Sequence, residues 1–417
     1  MRANPERFAL NVLLAAFTVF LLICGGILYG VQWFIFQSQV PMDVTLSVNR
    51  GTVSVVPPDT GEAIAVTDVR NDVEPGARIT TDSASQGLLS FRDPHTDRLV
   101  AEWVLHHDTD VTLESALAPR FGLNPRQYAI TGTSRDGNSE TRLLTATSRP
   151  AGFTISTEQA TAFFGRAGHY LLDVSNGETR VTTRQGLAEV TNETNRVVSL
   201  DPDERVTVTS PGEQPRIEDA EHDLLDNGNF RLPDMAGWEP YTLGTEPTGM
   251  ASSIIFEGRP VVLLDRSSDL FGNIEFDHGE IGLEQIFDPR PSDMTYLEVR
   301  ATFRVEEQSL STCGIAGSEC PLMLRIDFRD QDGDRREWVH GFYVTHNPGL
   351  ELPLRCDTCP IEHERVAPDR WYTYESGNLM TLLPETQKPE AIIGFRFYAS
   401  GHAFSVYVAE MSLLSAP

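Results

Sequence analysis

Four of the five cysteines lie close together late in the chain: Cys313, Cys320, Cys356 and Cys359. Their C-x6-C and C-x2-C spacings allow two kinds of chemistry. In an oxidising compartment an even set reads as two disulfides, and four cysteines allow three pairings. Local pairing closes only small loops. Cross-pairing would staple the loop before Leu322 to the loop after Leu354 and would stabilise more. As thiolates, the same sulfurs could form a tetrahedral Zn²⁺ site. Disulfides are the expected state and zinc the alternative. A redox role for Cys356-Asp357-Thr358-Cys359 would need a βαβ surround, whereas the flanks here are strand-like. Cys24 sits apart, inside an apolar run, and is expected to be inert packing.

Other polar groupings promise less chemistry. His106-His107-Asp108 could suggest a metal or a catalytic base, but adjacent strand residues face opposite sides, so the two imidazoles diverge; a surface strand end is expected. Asp330-Gln331-Asp332-Gly333-Asp334 has Arg335 where an EF-hand loop needs glycine, and strand-like flanks, so it is expected to be a hairpin turn. Nucleophile-elbow, zincin, P-loop and dinucleotide fingerprints are absent from the sequence, and the chain is expected not to be an enzyme. Aromatic rings that could stack on apolar sugar faces are Trp338, Tyr343, Trp371, Tyr372 and Tyr374. Alternation would turn Tyr372 away from Trp371.

The elements that must hold these groups are mostly strands. Short runs such as Gly51 to Val56, Gly87 to Phe91, Gly152 to Thr157 and Gly168 to Val174 recur with turn residues between them. Later, Leu297, Val299, Ala301, Phe303 and Val305 alternate with Glu298, Arg300, Thr302 and Arg304. Leu322, Leu324, Ile326 and Phe328 alternate with Arg325 and Asp327 in the same way. The expected fold class is mainly β: one N-terminal transmembrane helix, a first β domain over 43–212, a linker over 213–223, and a C-terminal β-sandwich jelly roll over 224–417.

Phe8 to Phe36 contains no charged residue and exceeds the ~20 apolar residues a membrane span needs. Tyr29 and Trp33 suit an interface at its outer end. Arg2 and Arg7 precede it, and the first charge after it is Asp43. The positive-inside rule therefore predicts a cytoplasmic tail of residues 1–7 and a single-pass protein of the cell membrane with its bulk extracytoplasmic. A cleaved signal has a shorter core. Such a tail is too short to fold into a signalling domain, so inward signalling would need a membrane partner. With 33 Lys+Arg against 60 Asp+Glu, the net charge of −27 excludes nucleic acid as an expected partner.

The order of elements in 43–212 resembles the periplasmic FecR domain. The matching pieces are GTVSVV, VEPGARITTDSASQGLLSF, DTDVTLES, then FTISTEQATAFFGRAGHYLLDVSNGETRVTTRQGLAEVTN and RVVSLDPDERVTV. The family's RGT-like position reads Gly165-Arg166-Ala167-Gly168 here. The resemblance implies an extracytoplasmic β-module and, in relatives, regulation of a sigma factor through a cytoplasmic segment. Region 224–417 resembles a galactose-binding-like jelly roll of the carbohydrate-binding-module type, through NGNF…GW, GLEQIFD, YLEVRATFRV and AFSVYVAEMSLL. That resemblance implies a glycan or cell-envelope partner. It also implies a structural Ca²⁺ between first and last strands, with Asn227 and Glu410 as the positions to test, although the family usually has Asp where Glu410 stands. The functional expectation is a membrane-anchored binding module. Transmembrane signalling through a partner and a glycan-active accessory or enzyme are the alternatives.

Overall fold

The computed structural model describes residues 5–144, 149–209, 215–267, 277–288 and 293–417. The apolar run forms one helix, Pro5–Gln37. Its 33 residues reach about 50 Å at ~1.5 Å per residue, more than the ~30 Å of a bilayer core. Phe17, Phe20, Leu22, Leu28 and Tyr29 all stand exposed along it. The helix is long and apolar enough to cross a membrane. Only Ser38 separates it from strand Gln39–Pro41, which pairs with Asp110–Pro119.

The protein is otherwise mostly β. Strands from Gln39 to Asp219 join into one closed sheet system around a single core. The joint is the 16-residue strand Tyr128–Leu143. Its first half pairs with Asp110–Pro119 and, in parallel, with Ala151–Ser156. Its second half pairs with Leu99–Leu105 and Gly168–Ser175. No strand signal was read there, because TSRDGNSETR is polar and poor in β-formers. Pairing on both sides overrides propensity. Gly132 in this strand lets the Trp103 indole lie against the backbone: a Cβ there would sit 2.7 Å from the ring.

The second unit is a sandwich of two six-stranded antiparallel-dominated sheets. One runs Met250–Phe256, Arg259–Asp265, Phe404–Ala416, Tyr296–Gln308, Tyr372–Glu375, with His222–Asp223 added to the edge of Phe404–Ala416. The other runs Glu239–Gly244, Gly279–Ile286, Ala391–Gly401, Leu322–Arg329, Arg335–Tyr343, Glu364–Arg365. Leu297, Val299, Ala301, Phe303 and Val305 all point into the core, as do Leu322, Leu324, Ile326 and Phe328. The alternation read from sequence therefore holds. Asp330 to Asp334 forms the expected turn: the Asp330 carboxylate accepts from the Asp332 and Asp334 amides and from Arg336.

The expected linker is no free tether. Residues 210–214 lie outside the described residues, but Arg216–Asp219 pairs with Glu204–Val208 of the first unit. His222–Asp223 then pairs with the last strand of the second. Glu221, between them, bonds Arg184 and Arg205 at 2.6 Å each. These two arginines hold the segment down on the first sheet at Glu221.

Candidate functional site

The outer face of the second sheet is built by strand register. Paired residues share a face, and pairing lines up two rows. Tyr241, Gly282, Tyr398 and Met323 form one; Glu284, Arg396 and Arg325 form the next, beside Asp327 and Glu337. The opposite face carries Phe395, Phe397, Leu324 and Ile326 into the core. Gly282 is required in its row, because the Tyr241 ring lies over it, 2.7 Å from where a Cβ would stand.

Charge on this face is balanced in chains. Arg396 donates to Asp327 at 3.0 Å and lies 3.7 Å from Glu284. Arg325 bonds Asp327 and Glu337, each at 2.8 Å. The Arg396 guanidinium is 5.9 Å from the Tyr241 ring centre, and the Tyr241 hydroxyl donates to Glu280 at 2.9 Å. Burial, then the Tyr241 hydroxyl and nearby cations pulling the other way, leave the Glu280 carboxyl above its ordinary range.

A groove of about 680 Å³ opens at one end of this face. Its floor includes Arg325, Asp327 and Glu337, and its wall is Asp357 to Pro360. Two disulfides hold that wall. The cysteines pair locally, Cys313–Cys320 and Cys356–Cys359, which resolves the open choice among three pairings. Both disulfides pack on Met323, Val339, Tyr343 and Tyr398. His363 stands between them: its Nδ1 accepts from the Gly341 amide at 2.9 Å, so its Nε2 carries the hydrogen given to the Gly317 carbonyl at 2.7 Å. Burial holds this imidazole neutral, below its ordinary pKa. Sulfurs already paired with each other offer no thiolate, so the four cysteines as they stand do not fit a zinc site.

The five aromatics read from sequence are not platforms. Trp338, Tyr372 and Tyr374 pack in the sandwich core, and Tyr343 packs under the disulfides. Trp371 does point away from Tyr372, but into the other unit, against Leu88 and Val104, with Arg259 stacked 4.3 Å over its ring. Alternation does not reveal which face a partner covers. Tyr241, Arg396 and Glu284 were missed; Arg325 and Asp327 had a signal, since they alternate with core residues.

Between the two β units runs a second polar site. Glu140, on Tyr128–Leu143, contacts Arg142 at 2.8 Å, His169 at 3.0 Å, Arg300 at 3.1 Å and His106 at 3.3 Å. Glu410, on the last strand, contacts His169 at 2.9 Å and Arg142 at 3.3 Å. Arg300 also reaches Glu375 at 2.9 Å. Gln86 joins in as a backbone mimic, donating to the Thr373 carbonyl at 2.8 Å and accepting from its amide. A cavity of about 260 Å³ borders this cluster. His106 is therefore buried in the seam, not at the surface strand end expected; His107 does point away to solvent. Burial would raise both carboxyls, but Arg142 and His169 outweigh it, leaving Glu140 well below its ordinary range and Glu410 at about 2.

This arrangement does not fit calcium at Asn227 and Glu410. Both Glu410 oxygens face cationic donors, and the Asn227 side chain is spent on its own loop, accepting from the Leu232 amide and donating to the Ala236 carbonyl. His106, Glu140 and Glu375 approach one another closely enough for a metal, but Arg300 already bonds both carboxylates.

No protein-family model matches the chain, and no curated protein does. Among solved structures, it is similar to a chain named as an anti-sigma factor from Parabacteroides distasonis, at 15% identity, TM-score 0.25, over 34% of this chain. The match covers 59% of that chain, less than two thirds of its length. It is also similar to the family 11 carbohydrate-binding module of a Clostridium thermocellum cellulosomal cellulase, at 10% identity and TM-score 0.27, over 47% of this chain and 95% of that one. TmCBM61, solved with beta-1,4-galactotriose, matches at 11% identity and TM-score 0.25, over 47% of this chain and 99% of that one. TM-scores of this size establish neither family nor ligand.

Proposed function

We propose that this chain is a non-catalytic binding protein, anchored by Pro5–Gln37 in the cell membrane with residues 1–7 cytoplasmic and its bulk outside, that presents the groove of its second unit to a neutral glycan of the envelope. The single observation carrying this reading is the outer sheet face on which Tyr241 and Arg396 stand beside the groove floor of Arg325, Asp327 and Glu337 and its disulfide-held wall. Sugar hydroxyls need planar donors and acceptors held in place together with an aromatic surface, and the groove floor with the Tyr241 row beside it supplies all three. Its charges cancel in pairs, which favours a hydroxyl-rich neutral ligand over a polyanion. The test is a glycan array probed with the full chain in detergent. Binding that survives 0.5 M salt, where the screening length is about 4 Å, and is lost in Tyr241→Ala supports it. Failure to retain any neutral glycan rejects it.

Signalling through a membrane partner is the second reading. The short joint, with only Ser38 between the helix and a paired strand of the first β unit, favours it, because a rigid joint can transmit a tilt. Co-purification of an integral membrane partner, lost when Ser38 is extended by a flexible insert, would support this alternative.

A further inference from the structure

The outer end of the helix does not stand free of the first β unit. The loop Arg120–Arg126 folds back against it. Phe121 packs edge-on against Phe34 at 5.3 Å, and the Arg120 guanidinium lies 5.5 Å over the same Phe34 ring. The Arg120 amide and the buried Asn124 side chain both donate to the Ser38 carbonyl, at 3.1 and 2.6 Å. Arg126 donates to Gln37 at 2.7 Å and to Gln39 at 3.2 Å. Phe34 lies within one turn of the helix end, so a helix that spans a bilayer carries this loop to the headgroup level.

The chemistry of the loop suits that level. In a protein of net charge −27, no Asp or Glu occurs between Glu114 and Asp136, while Arg120, Arg126 and Arg135 do. Arg120 and Arg126 are exposed, and neither faces a carboxylate in any ion pair among the described residues. Leu123, at the tip, is 72% exposed. Its backbone surround is fixed nonetheless, because Arg149 donates to the carbonyls of Phe121, Gly122 and Asn124. An exposed leucine between two hydrated guanidinium groups gains nothing in water. It is favourable where acyl chains meet phosphates.

We infer that Arg120–Arg126 is a second membrane contact, a foot in which Arg120 and Arg126 bind the phosphates of anionic phospholipid and Leu123 enters the acyl boundary. This rests on the reading of Pro5–Gln37 as a membrane span. With the helix, the foot gives the first β unit two fixed points on the bilayer and so a set tilt.

The test places a small fluorophore on single cysteines of the full chain in nanodiscs containing brominated lipid. One probe sits on native Cys24, one on Leu123→Cys and one on Asp332→Cys in the distant hairpin, the latter two in a Cys24→Ser background. Quenching at Cys24 and Leu123 but not at Asp332 is the expected result. Adding phosphatidylglycerol to phosphatidylcholine discs should strengthen the Leu123 signal. Arg120→Gln and Arg126→Gln should each lower the ratio of inserted to lifted loop by about fivefold. Unchanged far-ultraviolet circular dichroism shows that these variants fold. A quenched Cys24 with an unquenched Leu123 overturns the foot and leaves the span intact. An unquenched Cys24 overturns the span, and the foot with it.

Discussion

His169 binds Glu140 through Nε2 and Glu410 through Nδ1, at 3.0 and 2.9 Å, so a single imidazole ties a carboxylate of the first β unit to one of the second. Both ring nitrogens face carboxylate oxygens, which accept hydrogen bonds and cannot donate them when ionised. The imidazole satisfies both only when both nitrogens carry hydrogen. Burial by itself would depress its pKa, but Glu410 and then Glu140 outweigh burial and raise it. His106 is raised in the same way, with Glu375 and Glu140 outweighing burial and Arg300 opposing them.

A pH dependence of the seam follows from those shifts. A histidine raised on folding contributes stability that is fully present below its ordinary value near 6.5 and lost as pH rises through the folded value. Glu140 and Glu410 are lowered, so their contribution is present above ordinary carboxylate values and lost as pH falls towards about 2. The seam should be tightest between roughly pH 5 and 6.5 and loosen above it. His340 and His363 are depressed by burial and pull the other way. The seam is therefore read as the difference between wild type and His169→Gln. That difference in melting temperature should shrink from pH 6 to pH 8.5, with hydrogen exchange rising along Phe404–Ala416 in the wild type. A constant difference across that range would show that His169 is neutral in the fold.

His340 predicts a stabilising substitution. It is buried on the core face of Arg335–Tyr343, stacked on Tyr374 at 4.9 Å. Neither ring nitrogen has a hydrogen-bond partner among the described residues. Burial and then His363 push its pKa down to about 3, so it is neutral at any pH a cell meets. Unpartnered buried polar atoms cost about 1–3 kcal/mol. His340→Leu removes them at similar volume and should raise the urea midpoint with an unchanged slope. A lowered midpoint would mean that the imidazole contributes packing that leucine does not replace.

The disulfides predict a separation between stability and binding. Each closes a short loop, with sequence separations of 7 and 3. Chain-entropy reasoning gives such loops only about 2 kcal/mol apiece. Denatured without reductant, the chain should alkylate one thiol, Cys24, and after reduction all five. Cys356→Ser with Cys359→Ser should lower the melting temperature of the second unit by about 4–8 °C, at about 2–4 °C per kcal/mol for a unit of its size. The same variant should lose glycan retention, because the wall from Asp357 to Pro360 then has no fixed position. Retention at wild-type level would remove the wall from the site.

How much of this was legible in sequence depended on distance along the chain. Leu297 to Val305 and Leu322 to Phe328 announce their strands because each pattern is local. Arg325 and Asp327 announce their outward face for the same reason. Tyr241 and Arg396 meet only through the pairing of three strands, and no local pattern encodes that register. The seam is more remote still: His169 is 29 residues from Glu140 and 241 from Glu410. Aromatic type misled at Trp338 and Tyr374, since a ring suited to a sugar is equally suited to a core. At Trp371, the face left open by alternation is covered by the other β unit.

Arg396, beside the groove floor, separates binding from folding. Its guanidinium serves Asp327 and Glu284 and stands over the Tyr241 ring, yet it remains partly open to solvent. Asp327 is buried and keeps its bidentate bond from Arg325 when Arg396 is gone. Arg396→Ala should therefore leave the fold within about 1 kcal/mol of wild type, as exposed pairs generally do. It should weaken glycan retention about tenfold, the loss expected for one hydrogen bond from a charged donor. Asp327→Ala should do the reverse first, costing about 1–3 kcal/mol by removing the buried acceptor that Arg325 and Arg396 share. Calorimetry and affinity measured on the same two variants check the claim. If Arg396→Ala unfolds the chain while Asp327→Ala spares it, Arg396 is a strut of the sheet and not a contact for ligand.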